Sequence, residues 1–103
     1  MGEFVKIAKM EDVPPGTMKA FEYRQYRVLV CRTEKGIFAV DDECTHEAAS
    51  LSEGELSGHE VVCAHHGAKF NVVDGAVTGP PALVPLETYE VKVEGDDILV
   101  RFE

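Results

Sequence analysis

The chain has 103 residues, 45% of them hydrophobic, and a formal net charge of −9. That length fits a single domain, 1–103, with a core of modest size, and the acidity excludes nucleic acid and anionic membrane surfaces as partners, since both need a basic footprint. No run of about 18 apolar residues is present to span a bilayer, and the opening MGEFVKIAKMED lacks the plan of a secretory signal, so a soluble, cytoplasmic protein is expected, and it is taken as a monomer.

In chain order, short apolar or alternating runs recur with turn residues between them, and none holds a helical period for three turns. The sequence therefore predicts an all-β chain, with strands at FVKIA (4–8), MKAFEY (18–23), RVLVCR (27–32), IFAV (37–40), EVVC (60–63), KFNVV (69–73), ETYEVKV (87–93) and ILVRF (98–102). The turns fall at Pro14, Pro15 and Gly16, at Glu34 to Gly36, at Asp74 and Gly75, and at Glu94 to Asp97. Two segments stand outside this meander. Residues 41 to 58, DDECTHEAASLSEGELSG, are too polar and irregular for a strand, and so long a loop in a small domain is usually functional. Residues 78 to 85, TGPPALVP, hold three prolines that exclude a central strand and favour a stiff extended cover.

Charge and chemistry concentrate in the same region. Between Lys35 and Lys69 there is no Lys or Arg, while Asp41, Asp42, Glu43, Glu47, Glu53, Glu55 and Glu60 fall in that gap. Cys44 and His46 form a CxH box in the long loop, and after sixteen intervening residues Cys63 opens CAHH, with His65 and His66. Three cysteines are too few for a disulfide framework and read as thiols or metal ligands. Thiolate with imidazole suits zinc, or iron with sulfur. A structural zinc knuckle competes, although zinc fingers pair like with like and place their histidines on a helix, and none is predicted here. A Cys/His nucleophile leaves half of the set unexplained. Cys31, alternating with Val and Leu, reads as a buried thiol, Met10 and Met18 as core, and His59 as a turn residue.

The two boxes, with Gly67 directly after the second and Gly79, Pro80 and Pro81 some dozen residues on, resemble Rieske iron–sulfur proteins, most of all the small ferredoxins of Rieske non-haem iron oxygenase systems. The resemblance extends from the ProProGly turn to the closing EGDDILV hairpin. It implies a small antiparallel β-sandwich with a cluster-binding subdomain made of two loops, at about 41–82. It also implies one [2Fe-2S] cluster, with Cys44 and Cys63 on the inner iron and His46 and His66 on the outer one. His65 then stands where such ferredoxins often carry an aromatic, Gly67 lets the backbone approach the cluster, and Gly79, Pro80 and Pro81 form a lid. The implied work is one-electron transfer from a flavin-dependent ferredoxin reductase to a terminal oxygenase, with the acidic band steering docking onto basic surfaces. A small subunit of another redox enzyme such as nitrite reductase, or a zinc-stabilised interaction domain, are the alternatives. Beyond the boxes only His59 remains apart from His65, so the second iron site of the large oxygenase subunits has no ligands, and a carrier rather than a catalyst is expected.

Departures from the high-potential members set an expected direction. The loop disulfide of those proteins would fall at Ala49 and His65, where it cannot form, and their Ser and Tyr hydroxyls would fall at Ala68 and Phe70. Hydrogen bonds to sulfur stabilise the reduced cluster, so their absence lowers the potential. Equilibrium redox titration should give a midpoint near about −150 mV rather than about +300 mV, and Phe70→Tyr should raise it. A value above about +100 mV on that scale overturns the expectation.

Overall fold

A computed structural model describes residues 3–43, 50–64, 67–80 and 84–102. Ten strands occur among them: β1 Phe4–Lys9, β2 Met18–Tyr23, β3 Tyr26–Thr33, β4 Gly36–Asp41, β5 Glu55–Ser57, β6 Glu60–Val62, β7 Lys69–Asn71, β8 Val77–Gly79, β9 Thr88–Glu94 and β10 Asp97–Arg101. Single 3-10 turns lie at Met10–Asp12 and Leu51–Glu53. All pairings are antiparallel, in a six-stranded sheet ordered β1-β10-β9-β4-β3-β2 and a four-stranded sheet ordered β5-β6-β7-β8.

The larger sheet folds over on itself. Its two halves join only where Ala39 pairs with Tyr89 and Val40 with Thr88. The halves then pack face to face, Val30 against Ala8, Val13 and Ile98, and Val28 with Ala39 against Val100 and Phe102. Side chains alternate across a strand, so the neighbours of these residues point the other way. Leu29, Cys31 and Val40 accordingly pack with Leu51, Val61, Cys63, Ala68, Phe70, Val72 and Leu86 of the smaller sheet and its connections. Val28 to Cys31 are all fully buried, which makes β3 an inner wall with a core on each face. The wall explains why RVLVCR reads as a nearly continuous apolar run. Cys31 is buried as its alternation predicted, and Met10 and Met18 are partly buried against the two cores.

All eight predicted strands exist, and two are missing from the prediction. The long loop is less irregular than its polarity suggests: it contains the 3-10 turn at Leu51–Glu53 and β5. Only Leu56 marks β5, between the flanking Gly54 and Gly58. The Pro-rich segment begins inside β8, whose Thr78 and Gly79 belong to an edge strand that stops at Pro80. The strand at KFNVV ends two residues early. There the Asn71 side chain accepts a hydrogen bond from Val73 N–H (2.8 Å) and its carbonyl accepts one from Gly75 N–H (2.7 Å), turning the chain. The turn between β2 and β3 has no Gly or Pro; Arg24 takes φ 55° and lays its guanidinium over the Tyr23 ring.

Burial in this wall pushes the Cys31 thiol up to about 12, with the Asp42 charge adding to the effect. The folded chain therefore keeps this proton where the unfolded chain has lost it. The resulting stability is fully present below the unfolded pKa and is lost as pH rises towards the folded value. Urea unfolding followed against pH should show stability falling above about pH 9, with the Cys31 contribution on the order of 3 kcal/mol by about pH 11. Cys31→Ala should flatten that slope; an unchanged slope would mean the thiol does not carry it.

Candidate metal centre

Of the four residues proposed as ligands, Cys63 lies among the described residues, whereas Cys44, His46 and His66 lie outside them, as do Ala49, His65 and Pro81. What the fold fixes is where each box begins and ends. In the small sheet, Glu55 pairs with Val62, Val62 with Lys69, and Lys69 with Gly79, so these four residues form one row across one end of the sheet. Cys63 follows Val62 out of this row, Ala68 leads back into it, and Pro80 follows Gly79. The second box and the Pro-rich segment therefore leave from the same edge. Cys63 is 3% exposed, and its N–H donates to the Ala68 carbonyl at 2.8 Å, closing the base of the 63–68 loop.

The segments that flank the first box are held by two devices. The first is Asp42, which is fully buried. Its N–H donates to the Arg27 carbonyl (3.1 Å), and its carbonyl accepts from Leu51 N–H (2.6 Å). Its carboxylate accepts from Ser52 N–H (2.9 Å), from the Ser52 hydroxyl (3.4 Å) and from Arg27 Nε (2.6 Å). With the bridge between Glu43 and Ser50, the two ends of segment 44–49 are thus pinned side by side. The hydrogen bond to Asp42, and then its charge, push the Arg27 guanidinium up from its ordinary value.

The second device is Gly54. A Cβ there would stand 1.9 Å from the Val62 carbonyl oxygen and 3.1 Å from the Ala64 nitrogen, so the chain leaving the first box runs backbone against backbone with the strand entering the second. Gly67 has a different reason to be glycine. Its φ is +72°, and nothing lies within 4 Å of where a Cβ would point, so the constraint is backbone conformation rather than space. Ala68 and Phe70 are fully buried. Gly79 pairs with Lys69 on the second box's outgoing strand, and a Cβ there would stand 3.1 Å from the Lys69 side chain.

Sequence reasoning missed Gly54 and misplaced Asp42. Asp42 counted among the acids of a docking band, but it is buried, and its charge faces Arg27 instead of solvent. Glu43, Glu53 and Glu55 are exposed, and Glu60 is half-buried. The signal for Asp42 was the pairing of an acid at the end of one strand with the Arg at the start of another, which only the β3–β4 register makes visible.

Comparison with known proteins decides the family, since the Rieske [2Fe-2S] domain matches residues 3–90. The chain belongs to the Rieske [2Fe-2S] family. It is 45% identical over 98 residues to the ferredoxin component of biphenyl 2,3-dioxygenase from Rhodococcus jostii, covering 95% of this chain and 92% of the relative. It is 39% identical over 100 residues to the biphenyl dioxygenase ferredoxin subunit from a Pseudomonas species, covering 96% and 92%. Among solved structures it superposes with TM-score 0.90 and 35% identity, covering 95% and 92%, on a chain from the complex of reduced oxygenase and oxidised ferredoxin in carbazole 1,9a-dioxygenase. This Rieske protein is an electron carrier, an electron-transfer component rather than a catalytic subunit. The family match favours iron with sulfur over the zinc alternative.

The residues present fit the group that the Rieske family holds. Two thiols and two imidazoles are its donor set, and Cys63 sits in an apolar wall at the root of a hairpin closed by a backbone hydrogen bond. The approach at Gly54 gives a test of the geometry. Gly54→Ala should destabilise the Rieske protein by about 1–3 kcal/mol, as overpacking does, and lower its iron content by parting the two boxes. Denaturant unfolding together with iron analysis reads both effects, and a variant that matches the parent in each would show that the approach is not needed.

Proposed function

We propose that this chain, residues 1–103 as a single domain with its metal-binding part at about 41–82, carries one [2Fe-2S] cluster on Cys44, His46, Cys63 and His66 and delivers single electrons from a flavin-dependent ferredoxin reductase to a terminal oxygenase. The observation that carries this reading is the shared edge. The feet of the first box are pinned by Asp42, and the second box and the Gly79–Pro80 segment leave from one row of the small sheet beside Gly54. The relatives supply the partner: a ferredoxin component of a dioxygenase system is 45% identical over 95% of the chain. The reading takes the protein as a cytoplasmic monomer that binds neither nucleic acid nor membranes. Among the described residues, no helix is long and apolar enough to cross a membrane.

When bound, the cluster supplies a site that accepts and releases one electron at the iron held by the two histidines. The chain's own contribution is to hold the donors, to keep Cys63 dry, and to present the box-bearing edge to a partner. Apolar burial of Cys63 with Leu51, Val61, Ala68 and Phe70 excludes water from the thiolate side. The exposed Glu43, Glu53 and Glu55 lie close in sequence to the first box and favour a basic docking surface.

The purified protein should be red-brown, contain iron and acid-labile sulfide in equal amounts, and show the low average g value of a Rieske centre when reduced. His66→Ala should abolish that signal while His65→Ala keeps it. A colourless protein holding one zinc ion overturns the cluster reading, and a signal lost with His65 but kept without His66 overturns the ligand assignment.

A further inference from the structure

Asp42 is the single charged side chain that is fully buried among the described residues, and neither family membership nor the ligand set gives it a role. A neutral acceptor such as Asn would serve the Ser52 N–H equally well. Burying a carboxylate instead is unfavourable unless it is paired and hydrogen-bonded. Its pairing is one-sided. Arg27 Nε meets it at 2.6 Å, but the Arg27 side chain is 49% exposed, and on its outer side Arg27 also faces Glu22 at 3.9 Å. Compensation thus comes from the solvent side, where screening is strong. The Asp42 charge also reaches the interior, where it adds to the upward push on the thiol of Cys31, a residue of the apolar core that also holds Cys63 and in which charges act over longer distances. Cys44 follows Asp42 by two residues.

We propose that Asp42 is a positioning residue for the first box and, through its charge, holds the reduction potential of the centre down, with Arg27 as the half-exposed counter-charge that tempers it. This rests on the electron-carrier reading above. The positioning follows from the hydrogen bonds at one residue, which tie the loop's entry (Asp42), its exit (Leu51 and Ser52) and β3 (Arg27) together. The effect on potential follows from sign: reduction adds one negative charge to the centre, and a nearby buried anion opposes it.

Three variants of the full chain separate this role from a merely structural one: Asp42→Asn, Arg27→Gln and Arg27→Lys. Both of the first two weaken the same ion pair, so a structural role predicts changes in one direction. An electrostatic role predicts opposite ones. At an ambient potential set to the parent's midpoint, the ratio of reduced to oxidised protein should rise roughly threefold or more in Asp42→Asn and fall by a similar factor in Arg27→Gln. Arg27→Lys, which keeps the charge, should stay near the parent. Arg27 is half-exposed, so in Arg27→Gln water can approach Asp42 from that side, and Arg27→Gln read against Arg27→Lys keeps the charge effect measurable even if Asp42→Asn does not fold. Electron paramagnetic resonance on each variant reports whether the ligands are unchanged. Intact spectra with potentials that do not move, or that move the same way in Asp42→Asn and Arg27→Gln, overturn the proposal while leaving the carrier reading intact. A parent protein without a cluster overturns both.

Discussion

The molecule depends on a single strand with two buried faces. Val28 and Val30 of β3 face the sandwich formed by the folded sheet, and Leu29 and Cys31 face the small sheet, so neither core exists without the other's wall. The dependence is strongest on the small-sheet side. Its four strands are each three residues long, and a sheet that short has little stability of its own. Contact of Leu51, Val61 and Phe70 with Leu29, Cys31 and Val40 supplies the apolar burial that its own strands lack. Any side chain anchored in the small sheet is therefore positioned by β3.

The proposed metal centre takes its flanking segments from both sheets. The first box departs from the end of β4, in the larger sheet, and returns through Leu51 into the shared core before joining the small sheet at β5. The second box falls between β6 and β7, which pair with each other in the small sheet. The proposed donor set therefore draws on segments that the two sheets anchor between them. The backbone, more than side-chain packing, fixes their relative placement: the Asp42 and Leu51 pairing, the Cys63 and Ala68 pairing, and the bare contact of Gly54 with Val62. Electron carriers benefit from such rigidity, because ligands that are already held need to rearrange little when the charge changes.

Much of this was legible in the residues. Alternation of apolar and polar residues located β1 to β4, β6, β7, β9 and β10, because each has at least one face that must be buried, and the turn glycines at 16, 36, 75 and 95 all take positive φ. The spacing of CxH and CxxH, together with the family resemblance it carries, led to the Rieske family. What stayed hidden depends on contacts between segments distant in sequence. β5 and β8 are too short to show a period, and exist because β6 and β7 offer them an edge. Gly54 looks like any loop glycine until Val62 is placed against it. Asp42 looks like its neighbour Asp41 until the β3–β4 register sets it beside Arg27. Pattern reads faces; it does not read which face meets which.

That last distinction divides the acidity of the chain into two kinds. Asp41 is partly buried, and burial pushes its carboxyl up against the opposing pull of a backbone hydrogen bond from Glu43. Glu43, Glu53 and Glu55 point to solvent, where their fields decay over about 8 Å at physiological salt and act chiefly on the rate at which a basic partner is met. Asp42 points inward, where salt does not reach, and acts on whatever charge the interior holds. In the proposed roles, charges a few residues apart in one acidic stretch divide between docking and tuning. Ionic strength reaches the exposed acids far more than the buried one, so on those roles the speed of encounter depends on salt more steeply than the energy of the electron.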